Sequence, residues 1–366
     1  MDKPFFSIIK KSKKSRARLG VLQTPHGTVQ TPSFVPVATK GTLKAIAPNL
    51  LKDIGAQVMF VNTFHLVLSP GVDTLRSFGG IHQYASLQLP LMSDSAGFQV
   101  FSLGSKINSK GFKITEKGVH FKSPRDGASL FISPEQSMKH QEKIGADILM
   151  AFDECIPHGV SHEYALEATE RTHRWLLRCI KAKKRKDQRL YGIVQGGGFK
   201  DLREQSARFI AEQNVDGIAI GGVSVGETQK EMRDQVRWSA PFLPEKLPRH
   251  LLGVGRPKDF RYAISQGMDT FDCVEPTRLA RTGTVFTIKG KNIVRMNLMR
   301  PLYKKDKKPI EKTCSCYTCK TFSRSYLHHL FREQEMLGHQ LASIHNITMM
   351  HLEFEKIRQE IQRGIL

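Results

Sequence analysis

No stretch of the sequence reaches the roughly 18 consecutive apolar residues that a membrane-crossing helix needs. Near the start, the apolar residues 4–9 are too few for the core of a secretion signal and run directly into KKSKKSRAR. A cytoplasmic chain without a membrane partner is therefore expected. Acidic residues are scarce beside basic ones, 34 Asp+Glu against 56 Lys+Arg, for a formal net charge of +22. The imbalance says nothing about fold, but it favours a polyanionic partner, nucleic acid first. Cysteine is also sparse, six in 366 residues, and three of the six fall between Cys314 and Cys319. In a reducing compartment that clustering indicates a metal site and argues against a disulfide framework.

The positive excess is concentrated: residues 1–20 carry +6, residues 171–190 carry +8 and residues 295–313 carry +5. Each segment reads either as a solvated face or as a phosphate contact.

What the sequence does contain is a regular alternation. Short segments rich in Val, Ile, Phe and Met occur at 33–38, 57–62, 89–93, 147–152, 190–195, 217–220, 250–254 and 269–273. Between them lie stretches of helical period, including 42–54, 163–184, 199–213 and 227–239. Near-continuous apolar strands alternating with helices predict an α/β fold, a (β/α)8 TIM barrel in preference to an open doubly wound sheet. Ser133-Pro134-Glu135-Gln136 carries a helix-start signature, with a Ser cap, Pro at the first position and Gln closing a capping box. The Gly/Lys/Ser-rich stretch 103–126 predicts a β-rich excursion after the third strand. The tail beyond 273 is longer than one closing helix requires and holds the cysteine cluster. The expected organisation is a basic arm at 1–20, a barrel core at 21–284, a small zinc-binding subdomain at 285–346 and a closing barrel helix at 347–366.

Barrel enzymes draw their reactive groups from the C-terminal ends of several strands. Here those positions are Asn62, Asp94, Asp153, Gln195, Gly221-Gly222, Gly255 and Asp272. A single Asp there is ordinarily a helix cap or turn former; three, joined by two amides and glycine backbone, point to a site. A carboxylate accepts two adjacent N–H donors while an amide and a main-chain N–H donate to a carbonyl, the complement of guanine's polar edge. Two further Asp residues suit chemistry at an anomeric carbon, one as nucleophile and one as general acid/base. Together they indicate glycosyl transfer on a guanine nucleoside. A barrel glycoside hydrolase would use the same Asp pair but has no need of a basic surface or a purine-reading Gln. Cys314-x-Cys316-x-x-Cys319 needs a fourth ligand to close a tetrahedral zinc site. His328, His329, His339, His345 and His351 lie downstream, and spacing alone leaves the choice open.

Eight collinear strings resemble the tRNA-guanine transglycosylase (queuine tRNA-ribosyltransferase) family in its bacterial form. They are NTFHLVLSPG at 62–71, SDSAGFQVFSL at 93–103, MAFDEC at 150–155, YGIVQGG at 191–197, IGGVSVGE at 220–227, LLGVGRP at 251–257, FDCVEPTR at 271–278 and CSCYTC at 314–319. The resemblance covers roughly residues 20–355. It implies a TIM barrel with a zinc subdomain, a homodimer, and base exchange at wobble position 34 of tRNAs with a GUN anticodon, those for Asp, Asn, His and Tyr. Guanine there is replaced by a 7-deazaguanine in queuosine biosynthesis, by double displacement without strand scission or ATP.

Carried onto this chain, the resemblance makes Asp272 the nucleophile that forms a covalent ribose intermediate and Asp94 the general acid/base. Asp94, Asp153, Gln195 and the Gly222 backbone would read the base, with Ser95 and Phe98 lining its pocket. tRNA contacts would fall to Gly253, Val254, Gly255, Arg256, Pro257, Lys258 and Asp259, and to Thr277, Arg278, Leu279, Ala280 and Arg281. The family pattern, a histidine 26 residues after the last cysteine, selects His345 as fourth ligand of one structural zinc per subunit. Cys155 and Val225 resemble the bacterial version, whose incoming base is preQ1, with queuine the alternative. Ala96, Glu275 and Val223-Ser224 depart from the pattern, where a second Gly, an apolar residue and a Leu-Ala type pair are usual. The absence of the extra C-terminal domains of archaeal relatives also points to the wobble base. A non-catalytic RNA-binding paralogue would be expected to have lost Asp272 or Asp94, and both are present.

Overall fold

The computed structural model describes residues 4–99, 101 and 112–366. The chain opens with a three-stranded antiparallel sheet of β1 (Phe6–Lys11), β2 (Arg18–Thr24) and β3 (Gly27–Thr31). β4 (Ser33–Pro36), β5 (Met59–Val61) and β6 (Leu91–Ser93) follow. An antiparallel excursion, β7 (Lys113–Thr115), β8 (Gly118–Lys122) and β9 (Ser129–Ile132), comes next; the 103–111 part of the expected excursion lies outside the described residues. The chain then runs through β10 (Ile148–Met150), β11 (Arg189–Val194), β12 (Gly217–Ile220), β13 (Arg249–Leu251) and β14 (Thr270–Cys273).

The sheet order β4-β14-β13-β12-β11-β10-β6-β5 is parallel throughout. Its two ends join through a parallel bridge from Val37 to Phe60, with Ala38 N–H donating to Phe60 C=O at 2.7 Å. The fold is thus a (β/α)8 barrel, and each of the eight anticipated segments overlaps one barrel strand.

Three anticipated helices are present as His162–Ala182, Lys200–Ala211 and Gln229–Ser239. The Ser133 capping box also forms: its hydroxyl accepts Gln136 N–H at 3.3 Å and Gln136 Oε1 accepts Ser133 N–H at 3.0 Å. No α-helix occupies 42–54, where the chain makes turns and one 3-10 turn at Pro48–Leu50. Ala45 at φ 62° is left-handed and Pro48 lacks an N–H, so neither continues a helix.

Side chains alternate in and out along each strand. Val35, Val37, Val58, Phe60, Met92, Ile148, Met150, Tyr191, Ile193 and Ala219 fill the barrel interior as one apolar cluster. The intervening residues pack outward against the helices in a larger core. At the N-terminal end of the barrel, Arg18 is buried on Asp269 with contacts of 2.9 and 2.6 Å, and Lys11 pairs with Glu245 at 2.8 Å. Charge from residues 1–20 is therefore partly engaged at the end opposite the strand C-termini.

Beyond β14, the hairpin β15 (Thr284–Lys289) and β16 (Asn292–Asn297) leads to short helices at Tyr317–Thr321 and Arg324–Arg332. One long helix, Met336–Gln362, ends the fold. Helix was anticipated at 347–362; it begins at Met336, so the expected boundary at 346 falls inside it. This helix carries His345 near the cysteines and packs Phe354 against Phe34, Phe260 and Phe271 of the barrel.

Candidate active site

The two-residue period that fills the barrel continues past the strand ends. Phe60, Met92, Ile193 and Thr270 occupy the inward register, which carries Asn62, Asp94, Gln195 and Asp272 to the C-terminal mouth. β10 breaks step: Phe152, next in register after Met150, packs outside against Trp175 with ring centroids 4.9 Å apart. Asp153 takes the inward place. These residues, with Ser95, Phe98 and Gly222, line one cavity of about 690 Å³.

Asp94 is anchored by its neighbours. Its Oδ1 accepts Thr63 N–H at 2.8 Å and Ala96 N–H at 3.1 Å, and its Oδ2 accepts the Asn62 amide. Burial pushes its carboxyl up to about 6, against the opposing pull of those donors. Asp153 accepts Gln195 Nε2–H at 2.6 Å and the Ser95 hydroxyl at 3.2 Å. Burial pushes it, too, up to about 6, and the nearby Asp94 charge adds to the rise. Two carboxyls are thus poised to hold or release a proton near neutrality. Asp272 accepts Gly253 N–H at 2.9 Å and faces His250 Nε2 at 3.1 Å, both on Oδ1.

Gly222 has φ of 63°, and a Cβ there would come within 2.4 Å of Gln195 Oε1, so the backbone can approach a ligand only as glycine. Beneath it lies Arg203, fully buried with no carboxylate partner among the described residues. Its guanidinium donates to Gly197 C=O at 2.8 Å, Gly221 C=O at 2.7 Å, Gly222 C=O at 3.1 Å and Gln235 Oε1 at 2.9 Å. It ties the two glycine loops of the mouth together. Sequence reading passed over it; the signal was an arginine on the buried stripe Leu202, Arg203, Ser206, Ala207, Ile210 of its helix. His250, within an apolar strand, was likewise missed.

The two segments anticipated to hold RNA are divided by burial. Gly253, Val254, Gly255, Arg256, Asp259, Arg278 and Leu279 line the cavity, and Arg256 and Arg278 are exposed. Pro257 and Lys258 begin the helix Pro257–Ser265. Asp259 is buried, accepting from Gln229 and from Arg233 at 3.0 Å. Thr277 and Ala280 are buried, and Arg281 donates to Thr277 C=O at 3.1 Å. The departures from pattern find local explanations in part: Glu275 pairs with Arg295 of β16, while Ala96 (φ 71°) and Ser224 (φ 62°) hold left-handed conformations. Glu227 accepts the N–H groups of Ser224 and Val225. Cys155 borders the cavity, and burial pushes its thiol up, so it offers no thiolate.

Cys314, Cys316, Cys319 and His345 converge, their ligand atoms within 4.8 Å of one another. His345 Nδ1 lies 3.2 Å from Cys319 Sγ and 3.6 Å from Cys316 Sγ, while its Nε2 faces Phe286 C=O at 2.7 Å. A carbonyl at Nε2 keeps the proton there and leaves Nδ1 free to ligate. Three sulfurs and one imidazole suit a closed tetrahedral metal site.

The basic clusters also separate. In 171–190, Arg171, Arg174, Arg178, Arg185 and Arg189 all sit in ion pairs with Glu154, Glu116, Glu135, Asp187 and Asp216. In 295–313, Lys304, Lys305, Lys307, Lys308 and Lys312 are exposed and belong to no ion pair among the described residues.

Comparison with known proteins agrees with this geometry. The family model described as queuine tRNA-ribosyltransferase matches residues 12–366. A protein named queuine tRNA-ribosyltransferase from Pelotomaculum thermopropionicum is 47% identical over 359 residues, 98% of this chain and 95% of its own length. One of the same name from Herpetosiphon aurantiacus is 49% identical over 345 residues, 94% and 86% of the two chains. Another from a Nostoc species is 47% identical over 356 residues, 97% and 93%.

Proposed function

The chain belongs to the queuine tRNA-ribosyltransferase family, and from that membership and the geometry of the mouth we propose that it exchanges guanine at position 34 of GUN-anticodon tRNAs for preQ1. One observation carries the chemistry: Asp272 shares the cavity with Asp94 and Asp153, and one of its oxygens accepts from no protein donor among the described residues. That oxygen attacks the ribose C1′ as the C1′–N bond breaks and its electron pair departs on guanine. Asp94 supplies the proton that guanine takes up, then removes one from the incoming base. Two inversions at C1′ retain the sugar configuration. Asp153, Gln195 and the Gly222 backbone read the base, and a ligand lacking the matching groups would leave them unpaired, a penalty of about 10⁴-fold or more. Ser95 supports Asp153, and exposed Phe98 offers a stacking face.

Arg256, Arg278 and the unpaired lysines at 304–312 are the surface assigned to phosphates, with the remainder of 253–259 and 277–281 shaping the backbone that presents them. The four-ligand cluster would hold a structural zinc that fixes the segment carrying the three cysteines against the long helix that carries His345. Cys155 and Val225 support preQ1 over queuine, and a cytoplasmic homodimer is part of the same reading.

The test is incorporation of radiolabelled guanine into unmodified GUN-anticodon tRNA by purified protein. No incorporation under conditions where that tRNA binds would overturn the proposal. Competition between preQ1 and queuine decides the base. One metal per chain, lost in Cys316→Ser, is expected for the zinc site.

A further inference from the structure

We propose that His250 is a positioning residue that makes the Asp272 carboxylate asymmetric, occupying Oδ1 and leaving Oδ2 as the attacking oxygen. This rests on Asp272 being the nucleophile. The placement follows from strand register. His250 of β13 pairs with Thr270 of β14, and Thr270 and Asp272, two residues apart, share one face of that strand. The three side chains therefore stand together in the barrel interior. His250 is fully buried, with Nδ1 2.8 Å from Thr270 Oγ1 and Nε2 3.1 Å from Asp272 Oδ1.

A carboxylate only accepts, so the proton belongs on Nε2, and Thr270 can then donate to Nδ1. The ring is held in plane by Phe60, stacked at 5.7 Å with 19° between planes. Gly253 N–H donates to the same oxygen at 2.9 Å. With two donors on Oδ1, the lone pairs of Oδ2 remain for the sugar. In the step, an Oδ2 lone pair forms the bond to C1′, the C1′–N electron pair leaves with guanine, and the proton guanine accepts comes from Asp94. His250 transfers no proton; it fixes the torsion of the carboxylate so that the attacking lone pair is aligned before substrate arrives.

The experiment compares wild type, His250→Phe and His250→Gln by single-turnover formation of the covalent tRNA adduct, with tRNA affinity measured in parallel. Phe keeps the stack on Phe60 and removes the donor; Gln replaces the donor without a ring. His250→Phe should slow adduct formation about 10²-fold with tRNA affinity unchanged, and His250→Gln should recover most of that loss. A folded His250→Phe that forms adduct at the wild-type rate, or a His250→Gln no faster than His250→Phe, overturns the role. If His250→Phe does not fold, Thr270→Val decides, since it keeps the ring but frees Nδ1: a wild-type rate there rejects the proposal, and a slowed rate with normal tRNA binding supports it. Wild type that binds tRNA without forming any adduct would overturn the functional reading and this inference with it, whereas adduct in wild type with unaffected variants strikes His250 alone.

Discussion

Carboxylates stand at both ends of the barrel, and the company they keep differs. At the N-terminal end, Asp147, Asp216 and Asp269 each precede a strand and accept the backbone N–H of a residue on the neighbouring one, Leu91, Leu190 and Arg249, at 2.8, 2.8 and 2.7 Å. Each also meets a basic side chain: His26 and His82, Arg189 and Arg18 respectively. At the C-terminal end, Asp94 and Asp153 have no basic partner among the described residues, and Asp272 has only the His250 ring. The same residue type thus ties strands together at one end and, at the other, stands without such partners where the proposed reaction takes place. Partnership, not burial, separates the two roles, since Asp94, Asp153, Asp147 and Asp269 are all buried.

The largest expected effect tests the reactive end. Asp272→Ala should remove the covalent adduct and lower exchange by at least about 10⁴-fold while leaving the melting temperature at or above that of wild type. A melting point several degrees lower would mean that Asp272 also braces the barrel, and the division between the ends would fail. At the other end, Asp269→Ala strands the buried Arg18 guanidinium and should cost about 3–5 kcal/mol of stability in urea unfolding, with the folded fraction still forming adduct.

A pH series sharpens the contrast, because Asp94 and Asp153 are shifted in the opposite direction to Asp147. Asp94 and Asp153 are raised to about 6, so between about pH 4 and 6 the folded state binds more protons than the unfolded one. Their contribution is present in full below that window and is lost as pH rises through it. Asp147 is lowered; burial acts to raise it but is outweighed by hydrogen bonds from His82, His26 and Leu91. Its contribution is present at neutral pH and lost as pH falls through its depressed value. Asp153→Asn, which mimics the protonated acid, should therefore stabilise the protein at pH 7 by about 3 kcal/mol, the equivalent of about two pH units, and the gain should vanish near pH 4. Gln195 Oε1, which lacks a donor, can turn to receive the new amide. Asp147→Asn should show the reverse, a loss at pH 7 that shrinks in acid.

Much of the reactive end was legible in the sequence because a strand end advertises itself: an apolar run stops and a polar residue follows in known register. Asn62, Asp94, Asp153, Gln195 and Asp272 are read from their places at the strand ends, and the eight strings imply roles for all of them but Asn62. The bracing end was less legible. Asp147 and Asp269 read from sequence only as the opening residues of strands, and the His26 and Arg18 partners that explain them lie at least 120 residues away, beyond the reach of local pattern. Arg203 and His250 were hidden for a related reason: each is a polar residue on a buried face, which only the assembled neighbours justify. The helix anticipated at 42–54 failed because apolar spacing outweighed Pro48 in the reading, while the backbone obeyed the proline. The +8 cluster at 171–190 reads from sequence as either a solvated face or a phosphate contact, and local pattern cannot choose, because four of its five arginines pair with carboxylates outside the segment, the exception being Arg185 with Asp187.

Asp216 gives the smallest and most discriminating effect. It occupies the same register as Asp147 and Asp269, and its Oδ2 accepts Leu190 N–H, but its Arg189 partner sits at 3.3 Å with side-chain exposures of 40% and 30% for Arg and Asp. Solvent screens that pair, so the charge contributes little, on the order of 0.5 kcal/mol. Asp216→Asn keeps an oxygen for the Leu190 N–H and should lower stability by about 1 kcal/mol or less, with no change in adduct formation. Asp216→Ala leaves that N–H without its acceptor and should cost about 1–3 kcal/mol. If the Asn variant loses as much as Asp269→Ala, the charge itself braces the strands; if only the Ala variant is weakened, the backbone hydrogen bond does, and the cation at Asp269 compensates for deeper burial there.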